Sequence, residues 1–143
     1  YRSTGAQVQV PYYLGLLAAA YGDIGRSGDG LAVLAEALSQ VEQSGERWYE
    51  AELHRLKGEL TRMQSGDLEA DAELCFRQAL DIACRQQAKS WELRATTSLT
   101  RLWQSQGKRQ EAYDLLSPVY GQFTEGFDTA DLKDAKALLD ELA

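Results

Sequence analysis

LGLLAAAYGDIGRSGDGLAVLAEA, residues 14–37, and TTSLTRLWQSQGKRQEAYDLLSPV, residues 96–119, carry one pattern. In the first stretch Leu14, Leu17, Ala18 and Tyr21 are followed by Gly30, Leu34 and Ala37. In the second, Thr96, Leu99, Thr100 and Trp103 are followed at identical spacing by Ala112, Leu116 and Val119. Both read large, large, small, aromatic, then small, large, small. Between them Leu53, Leu56, Lys57 and Leu60, then Ala72, Phe76 and Ala79, keep the order with three extra residues in the middle. This copy fits worst, because its small residue, Gly58, stands one place beyond the slot. A recurring unit of this length is the mark of a repeat architecture.

Two antiparallel helices approach closely only where small side chains permit it, with larger neighbours filling the flanks. The pattern therefore predicts helix–turn–helix units. Gly25 and Gly107 each stand four residues after the aromatic, where a helix must stop and reverse; glycine takes the left-handed cap at little steric cost. Helices are predicted over 6–24, 29–43, 47–64, 69–87, 90–106, 109–122 and 129–142, with Ser90 and Asp128 as N-caps and Asp131 completing a box after Asp128. Pro118 should kink the sixth helix or disturb its last turn. In the last helix Leu132, Ala135, Leu138, Leu139 and Leu142 form an apolar stripe, with Lys133, Asp134, Lys136, Asp140 and Glu141 outside it. That is the pattern of a helix closing the end of a stack. The predicted fold is all-α: an α-α superhelix of about three hairpins, 11–45, 47–88 and 90–124, with a capping helix at 129–142, forming a single domain over 1–143.

The composition agrees. Hydrophobic residues make up 44% of 143, enough for a core, and the chain is rich in good helix formers with only two prolines. A net charge of −7 argues against a reader of nucleic-acid phosphates. No apolar run nears the roughly 20 residues that cross a bilayer, so no membrane partner is expected. Tyr1 opens the chain without an export signal, which predicts a cytoplasmic fragment of a longer protein. Cys75 and Cys84, nine residues apart, fall on opposite faces of one helix and read as small hydrophobic side chains.

These placements resemble the tetratricopeptide repeat, most clearly in Leu14-x2-Leu17-Ala18-x2-Tyr21 and Gly107-Lys108-x3-Ala112. The copies recur every 39 to 43 residues, longer than the roughly 34 of the common repeat. Arg47-Trp48-Tyr49-Glu50-Ala51-Glu52-Leu53-His54-Arg55-Leu56-Lys57-Gly58-Glu59-Leu60, Ala79-Leu80-x-Ile82-Ala83, Lys89-Ser90-Trp91-Glu92-Leu93-Arg94 and Gly126-Phe127-Asp128-Thr129-x-Asp131-Leu132 look like the C-terminal tail of bacterial multidomain adenylate/guanylate cyclases. Such proteins join a cyclase domain, an AAA-type ATPase domain and a repeat tail, and related tails occur in LuxR-type ATP-dependent regulators. The resemblance implies a signalling role for the parent and carries no catalytic residues onto this chain.

The residues themselves offer little chemistry. Gly22-x2-Gly25-x2-Gly28-Asp29-Gly30 follows no strand and lacks the Lys-Ser/Thr of a phosphate loop, so it reads as a turn. His54 is the one histidine, which leaves no cluster for a metal and no relay with a second imidazole. No cofactor and no catalytic residue is expected. Trp48, Trp91 and Trp103 read as core packing.

The informative feature is the placement of charge. Residues seven apart on a helix point nearly the same way, and the first helix of each hairpin lines the inner side of such stacks. This picks Arg55 and Arg62 with His54 beside them, Arg94 and Arg101 with Thr97 and Gln104, and from the first hairpin Tyr12, Gly15, Ala19 and Asp23. The stripe predicts an arginine-lined groove for a protein or peptide partner, an acidic one by bidentate pairing, or for another domain of the same polypeptide. The competing reading pairs these arginines with Glu52, Glu59 or Glu92 as a solvated face. Two other functions compete: a superhelix that senses a small molecule, and a homodimer formed through the face before residue 12.

Overall fold

The computed structural model describes residues 6–143, with side chains from Val10 onward. Among these residues seven helices follow one another and no strand occurs: α1 (Ala6–Asp23), α2 (Ser27–Ser44), α3 (Glu50–Met63), α4 (Glu69–Arg85), α5 (Lys89–Ser105), α6 (Arg109–Tyr120) and α7 (Ala130–Leu142). The all-helical class stands, and every helix lies within three residues of its predicted ends.

Each helix packs on the next, and in addition α1 packs on α3, α3 on α5 and α5 on α7. No two even-numbered helices among the described residues come together this way. The odd helices thus form one continuous layer, while the even helices stand apart behind it. The small residues explain the closeness. Ala18, Ala37, Ala72, Ala79 and Ala112 have no exposed surface, and a Cβ on Gly58 would lie 2.5 Å from the Phe76 ring. Gly58 is therefore the contact point of the middle copy, one place beyond the repeat slot, while Lys57 in that slot is exposed.

Three turns close alike. The amides of Arg26, Ala88 and Lys108 donate to the carbonyls of Tyr21, Ala83 and Trp103 at 2.8, 2.9 and 2.9 Å. This bond joins residues five apart and is the signature of a left-handed helix cap. Gly25 and Gly107 supply the cap, each at φ 79°, whereas Gln87 occupies it at φ 54°. At the far end the Arg109 guanidinium donates to the carbonyls of Leu142 at 3.0 Å and of Glu141 and Ala143 at 2.9 Å. It satisfies acceptors that the end of α7 would otherwise leave open.

Several local expectations are corrected. The N-cap of α7 is Thr129, whose hydroxyl accepts from the Leu132 amide at 3.4 Å, rather than Asp128. α5 begins at Lys89 after Ala88, so Ser90 lies within it and caps nothing. Leu17, placed in a contact slot, is 44% exposed. Its counterpart Leu99 is covered by Ala72 and Phe76 of the preceding helix, and no described element precedes α1 to do the same. Trp48 is exposed, stacked against Tyr12 at 5.9 Å between ring centres, while Trp91 lies half-buried and donates its indole N–H to the Trp48 carbonyl. Cys75 is buried and Cys84 exposed, on opposite faces of α4 as expected. α6 runs through Pro118 and ends at Tyr120, so the proline sits in the last turn. The face expected to self-associate before residue 12 lies almost wholly outside the described side chains.

Candidate functional site

α3 begins with Glu50 and Glu52 in its first turn, and the helix buries Glu52 to 3% exposure in the seam with α5. A carboxylate there requires cations, and two reach it. Arg55, three residues on, donates from Nε to Oε1 at 2.7 Å and from Nη2 to Oε2 at 2.9 Å. Arg94 of α5 places Nη2 3.0 Å from the same Oε2. Burial is the largest single influence and works against the Arg55 charge, but the hydrogen bonds to Glu52 together with the charges of Glu52 and Glu59 outweigh it and hold the guanidinium above its ordinary range. Burial, with Glu52 second, pushes the Tyr49 phenol up to about 12.

The network continues across the odd layer. Arg55 Nη1 donates to Ser98 Oγ of α5 at 3.3 Å. Arg94 Nε lies 3.8 Å from Asp131 Oδ1 of α7, and Arg101 pairs with Asp134 of α7. Arg55, Glu59, Arg94, Thr97, Ser98, Arg101, Asp131 and Asp134 line a cavity of about 170 Å³ that is open to solvent on one side. Within it Thr97 donates its hydroxyl proton to the Leu93 carbonyl at 2.8 Å. The oxygen can therefore only accept from the cavity side. Glu59 Oε1 is buried and has no hydrogen-bond partner among the described residues.

Of the sequence-predicted residues, Arg55, Arg94, Thr97 and Arg101 converge on this cavity. His54, Arg62 and Gln104 do not line it. Arg62 donates to Ser105 at 3.5 Å and Gln104 to Glu141 at 3.3 Å, farther along the layer. His54 is half-buried, its Nδ1 has no hydrogen-bond partner among the described residues, and burial lowers its pKa below the ordinary value. The first-hairpin stripe breaks down at Gly15, where a Cβ would meet the Tyr49 ring at 2.9 Å; this position packs α1 on α3. The arginines are not bare: Glu52 takes two of them, the pairing the competing reading expected, but at 3% exposure it does so in the seam and not on a solvated face. Asp131 and Asp134 meet Arg94 and Arg101 where sequence reading had a capping box and a solvated face. Their i, i+3 spacing at the start of the terminal helix was the available signal.

Among the described residues no group of three or more His, Cys, Asp or Glu is placed to hold a metal ion, and no helix is long and apolar enough to cross a membrane. No family model matches the chain, and it matches no curated protein and no solved structure.

Proposed function

We propose that this chain is a non-catalytic protein-interaction and regulatory module: a tetratricopeptide-like superhelix of three hairpins and a capping helix that works in the cytoplasm as the tail of a larger cyclase- or ATPase-type signalling protein. The observation that carries the reading is the layering. Odd helices touch their odd neighbours and even helices do not, so the odd layer is the tighter, inner side of a curved stack. It is also where the buried ion network and the charged cavity lie. A surface of this kind selects partners by charge geometry more than by apolar area.

The parent is assigned on the resemblance of the motifs alone, and fold does not fix function. The cavity, at about 170 Å³, is smaller than the roughly 300–1,000 Å³ of whole-ligand sites. Its size favours the tip of a partner's side chain over an enclosed metabolite. One observation favours an intramolecular partner as a second reading: α7 already presents Asp131 and Asp134 to the arginines of α5. A further domain of the same polypeptide would extend that contact.

Photo-crosslinking tests the module. A benzoylphenylalanine at Ser105, exposed on the α3–α5 seam, should yield adducts with a protein partner or with another domain of the parent. The same group at Gln78, exposed on α4, should not. Equal adducts at both positions, or none at Ser105, would overturn the reading.

A further inference from the structure

The repeat puts three residues of α1 in positions that the later copies cover. Leu16, Leu17 and Ala20 correspond by spacing to Arg55, Leu56 and Glu59 of α3 and to Ser98, Leu99 and Leu102 of α5. These positions are buried in α5 and buried or half-buried in α3, whereas Leu16 is 48% and Leu17 44% exposed, and Ala20 is exposed as well. In α5, Leu99 and Leu102 pack with Ala72 and Phe76 of α4, and Ser98 Oγ accepts from Arg55 of α3 at 3.3 Å. One side of the set is thus met by the preceding even helix and the other by the preceding odd helix.

The sequence of α1 suits a covered helix. From Val10 to Gly22 it holds no charged or amide side chain, and a helix apolar on all sides is a buried one. The other end of the stack is finished differently: α7 turns Lys133, Asp134, Lys136 and Asp140 outward, the polar outer face that closes a repeat array. Resting on the reading of this chain as the tail of a larger protein, we infer that the open side of α1 seats a further helical hairpin of the same repeat, carried by the same polypeptide ahead of Tyr1. A hairpin fits better than a second copy of the chain. Leu16 and Leu17 need a neighbour on each of two sides, and a second copy would offer a lone α1 or the charged face of α7.

The hairpin's second helix is specified too. The even helices present small, large and small residues as Gly30, Leu34 and Ala37 and as Ala72, Phe76 and Ala79. Ala37 stands 16 residues before Leu53, and Ala79 stands 17 before Thr96, the first slots of the copies that follow. The occupant therefore carries small-x3-large-x2-small, its last small residue 16 or 17 residues ahead of Leu14. Its large residue covers Leu17 and Ala20 as Phe76 covers Leu99 and Leu102.

The test compares this chain with the same polypeptide extended at its N-terminal side by one repeat, 39 to 43 residues. In the longer protein the amides of Leu16 to Ala20 should exchange hydrogen at least about tenfold more slowly. Ala20→Lys should move the Tm of this chain by less than about 2 °C, since the site is exposed. The same change should lower the Tm of the longer protein by roughly 5 °C or more, since a charge is then buried. Exchange needs no variant, so it decides the matter if Ala20→Lys unfolds the longer protein. Preceding residues without the small-large-small pattern, equal exchange in the two lengths, or an equally harmless Ala20→Lys would overturn the inference. So would a dimer of both lengths that Ala20→Lys dissociates, because the face would then belong to a second copy. The Ser105 crosslinks do not depend on this end of the stack, so the module reading stands or fails separately.

Discussion

Gly58→Ala adds a single methyl group at the tightest contact between α3 and α4. The new Cβ would lie 2.5, 2.7 and 3.0 Å from three carbons of the Phe76 ring, whereas carbon pairs prefer about 3.5–4.0 Å. The ring must retreat by about 1 Å, yet Phe76 has no exposed surface and is packed with Ala72, Leu99 and Leu102. Overpacking of this kind costs about 1–3 kcal/mol. Replacing a mid-helix glycine by alanine returns about 0.5–1 kcal/mol. The clash should win, because three ring atoms are crowded inside a closed cluster, and the net loss should be about 1–2 kcal/mol. For a chain of this length that is a fall in Tm of roughly 3–8 °C. Urea denaturation followed by far-ultraviolet circular dichroism reads the change in midpoint. Adding Phe76→Leu should return part of the loss, so the double variant should be more stable than the two single losses predict. A Gly58→Ala variant as stable as the parent would refute the reasoning, since propensity alone would then govern the site.

Two further variants test single features. Gln87 holds a left-handed conformation at φ 54° where the matching turns have glycine, so Gln87→Gly should raise stability by about 0.5–1 kcal/mol in the same denaturation assay; a loss would mean that the Gln87 side chain stabilises the turn. His54 has its pKa lowered, chiefly by burial, with Lys57 adding to the effect and Glu50 opposing it. Below the ordinary 6.5 the unfolded chain therefore takes up the proton more readily than the folded one, and stability falls as pH drops from there through the folded pKa. His54→Gln should flatten the stability profile just below pH 6.5, and an unchanged slope there would contradict the assignment.

Much of the fold was legible because it is local. Small and large residues at helical spacing, with Gly25 and Gly107 after the aromatics, give helix positions without knowledge of neighbours. The middle copy hid its contact point, since Gly58 lies one place past the repeat register and only the Phe76 ring against it reveals its role. Gln87 gave no warning of a left-handed cap, because composition does not mark strain. The arginines of the cavity were legible from seven-residue spacing. Their partners were harder to find: Glu52 is near in sequence to Arg55, but its bond to Arg94, and those from Asp131 and Asp134, depend on how far one hairpin slides along the next. Trp48 failed as a core residue for the same reason. Its position at a helix start was readable, but the exposure of that end of the layer was not.

Everything functional rests on α3 and α5 lying side by side so that charges from separate hairpins share one network. A double-mutant cycle on Glu52 and Arg94, using Glu52→Gln, Arg94→Gln and the pair in urea denaturation, measures that directly. With Glu52 at 3% exposure and 3.0 Å from Arg94, the coupling should be about 1–3 kcal/mol, and little reduced at high salt. Losses that add to within about 0.5 kcal/mol would contradict the account, because the two side chains would then not meet and no shared cavity would exist.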